Sequence, residues 1–385
     1  MTVKVSVIIP AYNQAIFLGE AIYSVLNQSF QDFEIIVIDD GSTDNTPDVV
    51  NSFSDERILY LYQKNLGVSA ARNSGIRISN GSYICFLDAD DKFIENKLKL
   101  QDRFLDNNPD VGMVVSGYRF IDSDSDVIRE MNSWEITPKL DIDSLLYICP
   151  FTPNSYLIRR FWVEESEGFD EQFRGLEDWD FYLRLVNNGC NIAWLERIVC
   201  DYRIHHDNMS QSPNSPIYGF IPILDKFFSN SHLPINVLNQ KKEAYIQAYF
   251  RTYTLASRKG NWDDAFYNIT QAISNDSGLK DNNYQQIFER IVSSAQDPFV
   301  DDHFEYINRA FENIPEPIIE LRKRKREAIS YIEFRELINA FKRNQKTEVY
   351  KAFFRSIIYN PRLIFNRGVI SIISKTLLTE FDFRK

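Results

Sequence analysis

The strongest constraint on this chain is an alternation, over its first ninety residues, of short strand-like runs with segments of helical spacing. Residues 3–10 (VKVSVIIP) are rich in β-branched side chains and end at a proline. In residues 15–27, Ile16, Leu18, Ala21, Ile22, Val25 and Leu26 recur at three- and four-residue intervals, the spacing of one helix face. Residues 33–38 form a second buried strand, 43–53 a helix with polar caps and 58–62 a third strand. A helix at 68–79 and a fourth strand at 83–87 complete the series. Alternation of this length predicts a mostly parallel sheet flanked by helices. In open sheets of that kind, ligands bind beyond the carboxyl ends of the strands. Here those ends carry Asn13, Asp39-Asp40 and Asp88-Ala89-Asp90-Asp91.

Further along, residues 111–120 and 192–199 read as strands, and 178–188 as a helix closed by Gly189. A loop rich in Asn, Ser and Pro at 207–216 predicts a boundary. The expected organisation is a catalytic domain over 1–215 and a helical region over 216–385. Within the latter, 241–260 and 261–274 have the small/aromatic spacing of a helix–turn–helix pair.

The net charge of −11 hides an asymmetry. Residues 321–385 hold 16 Lys+Arg and 6 Asp+Glu, a surplus of 10 positive charges, so the rest of the chain carries −21. A basic end on an acidic body points to an anionic partner. The stretch 349–378 joins such charges to Phe353, Phe354, Ile357, Ile358, Leu363, Ile364 and Phe365, mostly spaced for one apolar face. A basic amphipathic segment of this kind suits an anionic membrane surface, and no nucleic-acid partner is expected. The competing reading packs the segment on protein, with its charges solvated. Cys85, Cys149, Cys190 and Cys200 show no C-x-x-C spacing and read as reduced thiols. The first ten residues lack the features of a signal peptide, and no apolar stretch reaches membrane-spanning length. The expected location is the cytoplasm, peripheral on the inner face of the membrane if the tail binds there.

Four residues, Asp88-Ala89-Asp90-Asp91, carry the strongest chemical signal because they follow an apolar strand. Carboxylates crowded at a strand end repel one another, and hard oxygen ligands suit Mn²⁺ or Mg²⁺ shared with a substrate diphosphate. A solvated turn with Asp91 as helix cap is the alternative. At Asp39-Asp40-Gly41-Ser42, a carboxylate could accept from a ribose or base, or simply form a turn. No G-x-G-x-x-G follows the first strand and no G-x-x-x-x-G-K-[ST] occurs, which disfavours nicotinamide dehydrogenases and P-loop NTPases.

Seven segments in this order resemble family 2 of the inverting glycosyltransferases, with the GT-A fold. They are residues 5–13 (VSVIIPAYN), 37–44 (VIDDGSTD), 65–75 (NLGVSAARNSG), 86–91 (FLDADD), 168–171 (GFDE), 177–180 (EDWD) and 202–205 (YRIH). The resemblance covers roughly residues 3–210. It implies transfer of a sugar, with inversion, from a nucleoside-diphosphate donor, uridine being the commoner base. The implied acceptor is a hydroxyl of a saccharide, polysaccharide precursor or glycolipid. Pro10, Ala11, Tyr12, Asn13 and Asp40 are then the expected contacts to base and ribose. Arg72, alternatively a structural salt bridge, is expected on the diphosphate. Asp88, Ala89 and Asp90 match the D-x-D motif, with Asp90 and His205 as the expected metal ligands. Glu177 and Asp178 match the acidic catalytic pair, Asp178 being the general base. A helix cap is the competing reading for Asp178, a surface residue for His205 and core packing for Trp179, whose expected role is an acceptor platform. Two other classes make different demands on the sequence. A sugar-1-phosphate nucleotidyltransferase would open with a Gly- and Arg-rich loop that is absent here. A non-catalytic sugar-nucleotide-binding module need not keep Asp90, Asp178 and Arg72 together.

Overall fold

The computed structural model describes residues 3–205, 219–297, 300 and 302–381, with side chains described through residue 376. It divides into two compact units, Met1–Ala244 and Tyr245–Lys385. The loop at 207–216, where the sequence places a boundary, lies outside the described residues.

The first unit opens with the expected alternation: β1 (Val5–Ala11), α1 (Ala15–Leu26), β2 (Phe33–Asp39), α2 (Thr46–Asn51), β3 (Ile58–Tyr62), α3 (Val68–Ile78) and β4 (Tyr83–Phe86). β5 (Lys92–Phe93), α4 (Lys97–Asn107), β6 (Met113–Ile121), β7 (Val127–Met131), α5 (Ser133–Ile136) and α6 (Ile142–Leu145) come next. β8 (Tyr156–Arg159), α7 (Arg160–Glu165), α8 (Glu177–Asn187) and β9 (Ile192–Arg203) complete the sheet layer. The strands lie in the order β3-β2-β1-β4-β8-β6-β9-β5, with β7 on β6. Pairing is parallel through β3, β2, β1 and β4 and again between β6 and β9. β8 runs antiparallel to both β4 and β6, and β7 and β5 are antiparallel additions. The sheet is therefore mixed, with its longest registers parallel.

Those directions decide where the site can be. Two reversals, at β4/β8 and β8/β6, leave β6 and β9 pointing the same way as β4. The exits of β1, β2, β4 and β9 thus share one edge, and the acids after β4 meet the residues after β9 there. Val5, Val7, Ile9, Ile35 and Val37 are buried beneath that edge with Leu18, Ile22 and Val25 of α1. On the other side α3 presents Ala70, Ala71, Ser74 and Gly75 inward. Its close approach needs the glycine, since a Cβ at Gly75 would stand 2.3 Å from Ile8 Cγ2.

Helices follow from Phe220 onward. The second unit contains the second member of the expected helix pair, Trp262–Asn275, whose Asn261 cap accepts from the Asp264 N–H. Gly260, at φ +73°, makes the turn before it. No helix of the described residues is long and apolar enough to cross a membrane.

Candidate active site

Arg72 lies at the centre of the site. It projects from α3, is 3% exposed, and donates from Nη1 to Glu177 Oε1 at 2.6 Å and from Nη2 to Asp88 Oδ1 at 2.8 Å. One guanidinium therefore ties the exit of β4 to the first residue of α8. Burial alone would lower its pKa, but Asp88 and Glu177 outweigh burial and raise it, so the group stays charged. Phe169 lies under it at 5.2 Å. Both terminal nitrogens already serve carboxylates, so Arg72 is not the open diphosphate clamp expected from sequence. The salt-bridge reading is the one this geometry supports.

The three acids after β4 separate by environment. Asp88 is partly open, with 27% of its side chain exposed. Burial pushes its carboxyl up, Arg72 pulls it down and Asp90 raises it again. Asp91 is buried: Oδ1 accepts the Arg203 N–H at 2.7 Å and Oδ2 accepts from Asn154 Nδ2. Burial, then Asp90 and Asp88, push its carboxyl well above the usual range. Asp91 is therefore a buttress within the fold. Ala89 between them is also buried. Asp90 Oδ2 lies 3.0 Å from His205 Nε2, and the His205 ring packs on Phe17 with centroids 4.9 Å apart.

Among the described residues no group of three or more acidic, His or Cys side chains stands at metal-ligand spacing. What converges is the pair Asp90–His205. That fits Mn²⁺ or Mg²⁺, which take few protein ligands and complete their shells with water and substrate phosphate. Asp90 and His205 would hold such an ion.

On the other side of Arg72, Asp178 stands in the first turn of α8. Burial and the neighbouring Glu177 push its carboxyl up to about 7, against the pull of Arg72. Its Oδ1 accepts the Trp179 N–H at 2.8 Å, and Cys149 Sγ lies 3.9 Å from Oδ2. Glu177, expected beside it in catalysis, is committed elsewhere: its two oxygens accept from Arg72 and from the Gly175 N–H at 3.0 Å. Trp179, expected as an acceptor platform, is a core residue. It is 1% exposed, with Nε1 donating to Leu145 O at 2.7 Å and its ring edge-on to Phe220, so no face is open to a sugar.

At the exits of β1 and β2 the expected donor contacts are sorted again. Pro10 and Ala11 are buried as the last residues of β1. Tyr12 is 49% exposed, so its ring is open. Asn13, at φ +53°, binds the neighbouring loop: its N–H donates to Ser42 Oγ and its Oδ1 accepts the Thr43 N–H. Asp40 is 4% exposed and does not face a ribose. Its oxygens accept from Gln63 Nε2 and from the Leu66 and Gly67 N–H groups, holding the loop that starts α3.

One central residue was not read from sequence. Asn154, fully buried, accepts the Asp88 N–H at 2.7 Å and donates to Asp91, setting the acidic turn. It precedes β8 by two residues, and only the antiparallel placement of β8 beside β4 brings it there. No local pattern around it announces this. Tyr156 and Tyr182 also lie in the layer below, their hydroxyls buried without a hydrogen-bond partner among the described residues.

The Glycosyl transferase family 2 model matches residues 6–166. An uncharacterised glycosyltransferase of Rickettsia prowazekii is 34% identical over 282 residues, 66% of this chain and 85% of that one. The chain belongs to glycosyltransferase family 2. An uncharacterised glycosyltransferase of Rickettsia bellii is 34% identical over 232 residues, and the match spans 60% of this chain but only 33% of that protein. A UDP-Glc:α-D-GlcNAc-diphosphoundecaprenol β-1,3-glucosyltransferase of Escherichia coli is 29% identical over 54% of this chain and 79% of its own. Among solved structures, S. aureus TarS 1–349 superposes with a TM-score of 0.52 at 17% identity, covering 94% of this chain and 92% of that one. The Pyrobaculum calidifontis mannosyltransferase PcManGT, in complex with GDP-Man and Mn²⁺, gives 0.53 at 17% identity, covering 84% and 87%. These likenesses establish the GT-A-type fold for this family 2 chain.

Replacing Arg72 by Met removes the charge between the partly open Asp88 and the buried Glu177 carboxylates. The expected loss is about 3–5 kcal/mol of stability, because each acid is left without its partner. Urea denaturation of the variant measures it, and a loss under about 1 kcal/mol would contradict the bridge as described.

Proposed function

We propose that this family 2 protein transfers a sugar, with inversion, from a nucleoside-diphosphate donor to an acceptor hydroxyl. The observation that carries the proposal is the gathering of Asp88 and Asp178 about Arg72, with Asp90 beside Asp88, at one sheet edge. UDP is the favoured nucleotide because the E. coli relative is named for UDP-Glc. A saccharide or glycolipid acceptor is favoured by the same name.

The geometry supports a division of labour among these residues. Tyr12 offers an open ring to the base, and Asp88 keeps one carboxylate oxygen clear of Arg72 for the donor. Asp90 and His205 would hold a divalent ion, which would supply positive charge against the diphosphate. Arg72 acts at one remove, by fixing Asp88 and Glu177. Asp178 takes the proton from the acceptor hydroxyl as that oxygen attacks the anomeric carbon. A carboxyl held near 7 is matched to that task, being both ionised and basic at neutral pH. A single displacement converts an α-linked donor into a β-linked product. Release of nucleoside diphosphate, with the sugar recovered on the acceptor, separates this reaction from nucleotidyl transfer, which releases pyrophosphate.

The basic end of the chain is proposed to touch an anionic membrane surface. Phe353 packs against Leu337, Ala340 and Val349 inside the second unit, whereas Phe354, Ile358 and Phe365 are exposed next to Lys351, Arg355 and Arg362. Replacing Phe354 and Phe365 by Ser should weaken binding to vesicles containing anionic lipid, in a salt-sensitive manner. Unchanged vesicle binding would remove the proposal.

Asp90→Ala is expected to abolish the Mn²⁺ dependence of nucleotide-sugar binding in titration calorimetry. Equal donor affinity with and without Mn²⁺ in the unmodified protein would count against the ion.

Asp178→Asn keeps the shape of the side chain but cannot accept the proton. Turnover should fall by about 10²–10⁴ while donor affinity and melting temperature change little. In the unmodified protein kcat/KM should rise with pH through about 7, because only the ionised carboxylate is active, and the variant should lack that limb. Near-normal turnover in Asp178→Asn overturns the assignment.

A further inference from the structure

A groove of about 470 Å³ opens between the segment 134–141 and the entry end of β9. Its walls are Trp134 and Trp194, whose ring centroids stand 6.2 Å apart at 67°. Two half-buried indoles inclined at 67° to one another make a corner lining the groove. Trp194 is locked in place, its Nε1 donating to Thr137 O at 2.8 Å. Trp134 is not: among the described residues its indole N–H has no hydrogen-bond partner.

The rim is polar and uncommitted. Lys139, Asn191 and Glu196 are exposed, line the groove and make no side-chain hydrogen bond or ion pair among the described residues. Asp141 uses Oδ1 to cap α6 through Ser144 and leaves Oδ2 available. The rim therefore offers donors and acceptors together, with two carboxylates against one ammonium. That balance does not suit a phosphate, which needs surplus positive charge. It does not suit an apolar partner either, which would strip water from these groups without replacing their hydrogen bonds. A polyhydroxyl ligand satisfies both requirements. The C–H faces of pyranose rings pack on indole, and their hydroxyls both donate and accept.

The groove is linked to the reaction site through the ring of Trp194. Phe151 touches Trp194 at 6.1 Å and Tyr182 at 4.3 Å, between ring centroids. Cys149, two residues earlier, stands against Asp178. One short segment thus contacts both a groove residue, Trp194, and Asp178.

We propose that this tryptophan corner is a saccharide-binding subsite, taking neutral sugar rings of the acceptor away from the hydroxyl that reacts. The acceptor part of this statement rests on the transferase reading above. The binding part does not, and the test keeps them apart.

The full chain is applied to an array of neutral oligosaccharides, and hits are titrated by tryptophan emission. Trp134→Ala should weaken binding about tenfold, the loss of one aromatic platform. Glu196→Ala alters an exposed side chain that has no side-chain partner among the described residues, so it tests the groove without threatening folding, and it should weaken binding too. Donor affinity should be unchanged in both. Asp178→Asn should keep full oligosaccharide binding, whatever its turnover. Should Asp178→Asn retain activity while Trp134→Ala loses saccharide, the catalytic reading fails and the subsite stands. An array with no bound saccharide, or binding indifferent to both groove substitutions, overturns the subsite.

Discussion

The ion-paired guanidinium of Arg72 is the interaction on which the rest of the site depends. Moving a charge of this kind out of water costs several kcal/mol. Here the cost is offset by two short charge-assisted hydrogen bonds, to Asp88 and Glu177, and by the face of Phe169 beneath. The three groups come from α3, the exit of β4 and the start of α8, 105 residues apart at their widest. A core of hydrocarbon could hold these elements together equally firmly, but it would not orient a carboxylate. The bridge fixes the rotamer of Asp88 and the entry of α8, and so the place of Asp178 one residue on.

Around that bridge each acid acquires its character from its surroundings. Asp91 is enclosed by Asn154 and the backbone of Arg203 and serves the fold. Asp88 and Asp90 retain exposed edges. Asp178, shielded beside Glu177, is pushed towards neutral pH. Four chemically similar carboxyls thus divide into a buried buttress, two partly exposed groups and one held near neutral pH, the proposed base, through desolvation and partners alone.

Much of this was legible in advance. The alternation through β4 appeared at nearly the boundaries observed, with β3 at Ile58–Tyr62 as expected. Burial on both faces makes β1, β2 and β4 apolar almost throughout, and helical spacing separates the strands cleanly. The motif residues Asp88, Asp90, Asp178 and His205 do converge. The roles of Asp40, Arg72 and Trp179 were less legible, since an acid, a cation or an aromatic in a motif reads the same whether it faces substrate or core. The tail shows the same limit: Phe353 and Phe354 are adjacent in sequence, yet one packs inward and the other faces out.

The sequence by itself determined the layer architecture, the edge on which ligands would meet the sheet, and the set of chemically competent residues gathered there. These follow from short-range periodicity and from the rule that parallel strands put their exits on one side. Only the tertiary structure decided which of those residues remain open. That choice depends on contacts between positions tens to hundreds of residues apart: Asn154 reaching Asp88 and Asp91, Arg203 bonding Asp91, the Gln63–Gly67 loop consuming Asp40. It also produced the Trp134–Trp194 corner, whose two rings are 60 positions apart and share no motif. Hydrogen-bonding capacity is written into each side chain, but whether it is spent on the protein or left for a ligand is settled only when distant segments come to lie side by side.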